Sequence, residues 1–221
     1  MNEETSRFTY KEEQANAISH LIGAFLSMVA LVLMVVYSAI NGTAWHVVST
    51  AIFGSTLIAL YLSSTFTHWL KPGRLKETFF TFDQIAIFFL IAGTYTPMAL
   101  VALHGAFGWT IFGIEWGLAL AGSLYRILKP GKYSAGVNIF YIALYASMGW
   151  LFVIAIAPLI KTMQPMGVIW ILIGGAFYTI GIFFYKKAKF KYHHLVWHLM
   201  VLGGSVSHFI AIFFYVIPIS L

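Results

Sequence analysis

The last hydrophobic run, His193-His194-Leu195-Val196-Trp197-His198 continuing through Leu199 to Ser207 and His208, decides how the chain is read. From His194 to Pro218 it is long enough to cross a hydrocarbon core of roughly 30 Å at about 1.5 Å per residue, so it reads as a membrane-spanning helix. Imidazoles in such a helix are costly without partners. His194 and His198 are four apart, which puts both on one face about one turn apart, the spacing at which two side chains bind one ion. The segment reads as half of a metal site.

Six further runs of the same kind precede it: Ala17 to Ile40, His46 to Leu70, Phe82 to Leu103, Gly108 to Leu128, Val137 to Ile160 and Met166 to Tyr185. The fold class expected is an all-α membrane protein, a seven-transmembrane helix bundle forming one domain over residues 1–221, with a short polar tail over about residues 1–16. Composition agrees, because 60% of the 221 residues are hydrophobic and 9% charged, far from the balance of a soluble domain. The tail carries both signs (Glu3, Glu4, Arg7, Lys11, Glu12, Glu13), unlike a cleaved signal peptide, so no cleavage is expected. With no cysteine, disulfides and thiolate ligands are excluded, and His, Asp and Glu must hold any ion.

The formal net charge of +6 does not point to nucleic acid, since nearly every Lys and Arg lies in a short link between apolar runs. Arg7 and Lys11 precede the first run; Lys71, Arg74 and Lys76 follow the second; Arg126, Lys129 and Lys132 follow the fourth; Lys186, Lys187, Lys189 and Lys191 follow the sixth. These are 12 of the 13 basic residues, all on alternate links, with Lys161 alone opposite. The positive-inside rule then predicts a cytoplasmic N-terminus and an external C-terminus in a multi-pass protein of the cell membrane. Asn41-Gly42, Lys71-Pro72-Gly73, His104-Gly105, Lys129-Pro130-Gly131 and Gln164-Pro165 read as turns. Trp45, Trp69 and Trp109 sit where interfacial aromatic anchors are expected.

This orientation assigns depths. His68 precedes Lys71 by three positions, Asp83 opens the third run, His194 follows Lys191 by three with His198 one turn deeper, and His20 opens the first run. Five candidate ligands from four helices therefore share the cytoplasmic half of the membrane. The bland reading of a lone histidine near a helix end is interfacial, and His46, His104 and His193 are read that way. Asp83 is harder to dismiss, because a carboxylate in a span costs about 2.5 to 3.5 kcal/mol at the centre and needs a partner. His208 lies roughly 15 Å deeper than His198 and cannot share its ion. It reads as a buried polar residue, as does His20 if it is not a ligand. Glu115, inside the fourth run, reads as a protonated carboxyl or one facing water.

His68, His194 and His198 with a nearby carboxylate match a catalytic zinc, which has three protein ligands and an open fourth position for water. Zinc lowers the pKa of that water toward about 7, and Asp83 can accept its proton as it attacks a carbonyl. Ser64, one turn from His68 on the same face, can hydrogen-bond the water or the substrate oxygen. The chemistry is hydrolysis, and the expected cofactor is Zn2+.

Glu12-Glu13-Gln14-Ala15-Asn16-Ala17-Ile18-Ser19-His20, the Ser64-xxx-His68 pair, Phe82-Asp83-Gln84-Ile85-Ala86 and His194-xxx-His198 followed by His208 together resemble the motifs of the hemolysin III family. That family is the bacterial branch of the superfamily of adiponectin and progestin receptors, distantly related to alkaline ceramidases. The resemblance spans nearly the whole chain. It implies seven helices, a cytoplasmic N-terminus and a zinc near the cytoplasmic face held by His68, His194 and His198, with Asp83 hydrogen-bonded to its water and Ser64 beside it. The receptor branch is linked to hydrolysis of ceramide-like lipid amides; the bacterial branch is named for cytolysis and associated with membrane lipid regulation. Chain length leaves no receptor-like N-terminal extension, so hormone binding is not carried over. Three functions follow as expectations: a zinc-dependent intramembrane hydrolase of a membrane-lipid amide or ester, a non-catalytic lipid or membrane-state sensor with structural zinc, and a hemolysin-type cytolysin. Whether His20 completes the zinc shell separates the first two.

Overall fold

In the computed structural model, residues 8–129, 138–186 and 190–221 are described. They form seven helices long and apolar enough to cross a membrane: α1 Tyr10–Asn41, α2 Ala44–Trp69, α3 Arg74–Leu103, α4 Gly105–Leu128, α5 Ile139–Thr162, α6 Pro165–Lys186 and α7 His193–Val216. No strand occurs among the described residues. In lipid, a helix satisfies its own backbone polar groups, which is why apolar runs of this length fold this way. Large side chains such as Ile40, Phe25 and Leu128 face outward, where lipid rather than protein covers them.

Helix α1 begins seven residues before its apolar run, so the expected tail is helical from Tyr10 onward. A capping box starts it early. Thr9 Oγ1 accepts from the Glu12 backbone N–H at 3.4 Å, and Glu12 Oε2 accepts from the Thr9 backbone N–H at 3.1 Å. At the far end of α3, the turn into α4 is made by His104 (φ 43°) and Gly105 (φ 59°), two successive positive-φ residues that reverse the chain. Arg7, Pro130, Gly131, Lys132, Val137, Lys187 and Lys189 lie outside the described residues.

Helix α3 is the axis of the bundle: 78% of its most apolar stretch is buried, against 28% for α1. After Pro97, which has no N–H to donate, the helix widens into a π-helical segment, Met98–Leu103. Helix α5 breaks at Leu151 between Ile139–Trp150 and Phe152–Thr162. The carbonyls near the break are used by α3, because the Tyr95 hydroxyl donates to Gly149 O at 2.9 Å and Met148 O at 3.1 Å. A break inside a span is tolerated only with such partners. Glu115 does not interrupt α4; it is completely buried.

Opposite the basic links, His46 is not an open interfacial residue. It is 1% exposed, its Nδ1 accepts the Thr43 backbone N–H at 3.0 Å, and its Nε2 donates to Ile219 O at 2.9 Å. It thus caps α2 and ties down the chain after α7. His104 is exposed as expected, and Trp45 and Trp109 meet edge to face at 5.6 Å near the same end.

Candidate functional site

The packing of α7 against α1 and α2 brings together side chains far apart in sequence. His68, near the end of α2, and His194 and His198, in the first turns of α7, are all buried. One ring nitrogen from each lies within 4.8 Å of the others, and the Nε2 atoms of His68 and His194 are 3.3 Å apart. Two nitrogens on a tetrahedral zinc at about 2.1 Å are separated by about 3.4 Å, so this pair already has a ligating spacing. The donor set fits: three neutral imidazoles suit zinc among other divalent metals. These three residues could hold a metal ion.

Helix α1 lies behind them. Glu13 Oε2 accepts from His68 Nδ1 at 2.6 Å, and Glu13 Oε1 accepts from Lys76 Nζ of α3 at 3.0 Å. His198 Nδ1 faces the Asn16 carbonyl at 3.1 Å and Ser19 Oγ at 2.9 Å. Phe8 stacks on His194, with ring centroids 4.8 Å apart and planes 28° from parallel. Glu12 Oε1 accepts the backbone N–H of Tyr192 at 2.9 Å. Tyr192 has φ 63°, a costly conformation for a residue with a Cβ, and it stands immediately before α7. The bond from Glu12 is part of what holds it there.

His20 does not join the convergent nitrogens. Its ring lies flat on His198, with centroids 3.5 Å apart and planes within 11°, and meets Tyr61 edge-on at 5.0 Å. Parallel stacked rings do not converge on a common ion, so His20 serves as a packing neighbour of a candidate ligand. Asp83 and Ser64 face the same cavity as the three imidazoles, and the Ser64 hydroxyl lies within hydrogen-bonding reach of the Asp83 carboxyl.

That cavity, of about 210 Å³, is lined mainly by apolar side chains of α2, α3, α5, α6 and α7. It runs from the imidazoles past Tyr178 to His208. Tyr178, which lines it, is held by Ser205, whose Oγ lies 2.9 Å from the Tyr178 hydroxyl and receives the Tyr61 hydroxyl at 2.7 Å. His208 Nε2 donates to Ile171 O at 3.2 Å, and the ring rests on Gly174, where a Cβ would come within 2.3 Å of it. His208 is held by Ile171, Gly174 and Tyr178 rather than by the three converging imidazoles.

Sequence reasoning missed Glu13, Lys76, Phe8 and the Glu12 bond. The sequence places Glu12 and Glu13 in a short polar tail, and at the start of the motif that carries the family resemblance, with no role at the site, and Lys76 in a basic link that sets topology. The available signal was depth, since Glu13 and Lys76 of opposite sign border the same membrane face as His68.

Comparison with known proteins agrees with this architecture. The chain is 40% identical over 220 residues to "Hemolysin-3" of Bacillus cereus, covering 99% of each chain. It is 41% identical over 212 residues to a "Hemolysin-3 homolog" of Bacillus subtilis (strain 168), covering 96% of this chain and 98% of the relative. It is also similar to the human "Monocyte to macrophage differentiation factor", at 28% identity over 213 residues, 94% of this chain and 85% of that one. The family model described as "Haemolysin-III related" matches residues 8–209. A match of that extent, with seven spanning helices and bacterial relatives aligned end to end, makes this multi-pass membrane protein a member of the haemolysin-III related family.

Proposed function

We propose that the chain is a zinc-dependent intramembrane hydrolase that cleaves an amide or ester bond of a membrane lipid. The observation that carries this reading is the placement of three buried imidazoles, from His68, His194 and His198, at one end of a long apolar cavity that also presents Asp83 and Ser64. The apolar length suits an acyl chain, and the polar end suits a carbonyl. The twelve basic residues on alternate links orient that polar end toward the cytoplasm.

When bound, zinc supplies Lewis-acid polarisation and makes water a usable nucleophile near neutral pH. The chain's own residues do the rest. Asp83 takes the proton from the attacking water as its oxygen adds to the lipid carbonyl, and returns it to the departing amine or alkoxide as the C–N or C–O bond breaks. Ser64 orients the Asp83 carboxyl through its hydroxyl. The apolar wall holds the acyl chain and limits water to the reacting end.

The test is metal content of purified wild type, His68→Ala and His198→Ala, alongside turnover of labelled lipid amides and esters. About one zinc per chain in wild type is expected, lost in both variants, with product formation abolished in Asp83→Ala. Stoichiometric metal without turnover of any lipid would instead favour a sensor with structural zinc. A second reading follows from the name of the Bacillus cereus relative, which describes lysis. Liposome leakage indifferent to chelators and to His68→Ala would favour it.

A further inference from the structure

Helix α1 contributes none of the three convergent nitrogens, yet it contacts His68 and His198, and Phe8, just before it, contacts His194. A carboxylate can only accept a hydrogen bond, so the 2.6 Å contact to Glu13 Oε2 puts the proton of neutral His68 on Nδ1 and leaves the Nε2 lone pair facing His194. A backbone carbonyl is likewise acceptor only. The 3.1 Å contact to Asn16 O puts the proton of His198 on Nδ1, and the Ser19 hydroxyl, which donates to Asn16 O at 2.7 Å, accepts from the same nitrogen. Residues 13, 16 and 19 follow at intervals of three, so they share one face of α1. Phe8, just before the helix, fixes the plane of the His194 ring.

We infer that Glu13 is the principal positioning residue of the metal centre, and that the first three turns of α1 form a template that presets which nitrogen His68 and His198 offer. This rests on the metal-centre reading above. Lys76 completes the device: by holding Oε1 at 3.0 Å, it stops the carboxylate from turning away from His68. Outer partners of this kind orient metal-bound histidines in general, and their loss typically weakens metal binding 10- to 100-fold. The consequence is that metal affinity depends on a face of α1 that begins before the first apolar run and holds no ligand.

The experiment measures Zn2+ and Co2+ affinity by chelator competition, and the Co2+ absorption spectrum, on purified full-length protein in detergent. Glu13→Gln should bind 10- to 100-fold more weakly than wild type and shift the Co2+ spectrum. Glu13→Asp, which keeps the charge, should recover part of the loss. Ser19→Ala should cost less than Glu13→Gln, because the Asn16 carbonyl still holds His198. Gly93→Ala is the stability control: its Cβ would meet Thr56 Oγ1 at 2.3 Å, away from the site, so it should lower the unfolding temperature while binding metal as wild type does. Should Glu13→Gln not fold, Glu13→Asp and Ser19→Ala carry the same comparison, and wild-type values in both would overturn the inference. A folded Glu13→Gln with wild-type affinity and spectrum would overturn it as well. Wild type that binds neither ion would sink the metal-centre reading itself, a different failure.

Discussion

Replacing Gly174 by alanine should destabilise the deep wall of the cavity without disturbing the histidines at its other end. The added Cβ would sit 2.3 Å from His208 Cδ2 and 2.4 Å from Nε2, with Gly204 O at 3.1 Å behind. Ordinary contact begins near 3.4 Å, so the imidazole must retreat by about 1 Å, and the 3.2 Å bond from Nε2 to Ile171 O breaks. Overpacking of this kind costs about 1 to 3 kcal/mol. A hydrogen bond inside a membrane bundle averages about 0.6 and reaches about 1.7 kcal/mol, so the steric effect is the larger. Together they amount to about 2 to 4 kcal/mol. At roughly 2 to 4 °C per kcal/mol for a chain of this size, the midpoint should fall by roughly 4 to 16 °C. Thermal unfolding in detergent, followed by circular dichroism, provides the assay. His208→Ala removes the obstructing ring, so Gly174→Ala should cost much less in that background. An unchanged midpoint, or equal cost in both backgrounds, would refute the reasoning.

Other outcomes are equally open to measurement. His46→Ala removes both a cap on α2 and the tie to Ile219 O, and should lower stability by about 1 to 2 kcal/mol with faster hydrogen exchange beyond Val216. Because the chain has no cysteine, single substitutions report topology directly. A membrane-impermeant maleimide should label Lys161→Cys on intact cells and Lys71→Cys only after permeabilisation; the reverse pattern would invert the orientation. A strong chelator should lower the unfolding midpoint of wild type, since a ligand at about 1,000 times its Kd stabilises by about 4 kcal/mol, and should leave His198→Ala unmoved.

The spans were legible because hydropathy acts over whole segments, and one Glu115 cannot outweigh an apolar helix. The meeting of His68 with His194 and His198 was legible for a geometric reason: a bilayer gives every span the same depth scale, so residues near the same face become candidates for contact. What depth does not give is rotation about each helix axis. His20 shares the depth of His198 yet presents its flat face, and no spacing rule distinguishes a face from an edge. Glu13 was hidden because the capping box at Thr9 extends α1 beyond its apolar run, turning a short polar tail into packed structure. The break at Leu151 was equally hidden, since its support comes from Tyr95 on another helix.

The division of the three imidazoles between α2 and α7 also bears on how the protein is made. His68 is synthesised early, whereas the other two arrive only with the final helix, 126 positions later. Under the metal-centre reading, an emerging polypeptide cannot capture its ion until the seventh helix has left the translocon and docked. Metal loading then marks completed biogenesis, and any product ending after Lys186 retains a single imidazole of the three. Such truncated chains, purified from the membrane, should contain no stoichiometric zinc, and a cell depleted of zinc should accumulate full-length chains that are inserted but readily degraded.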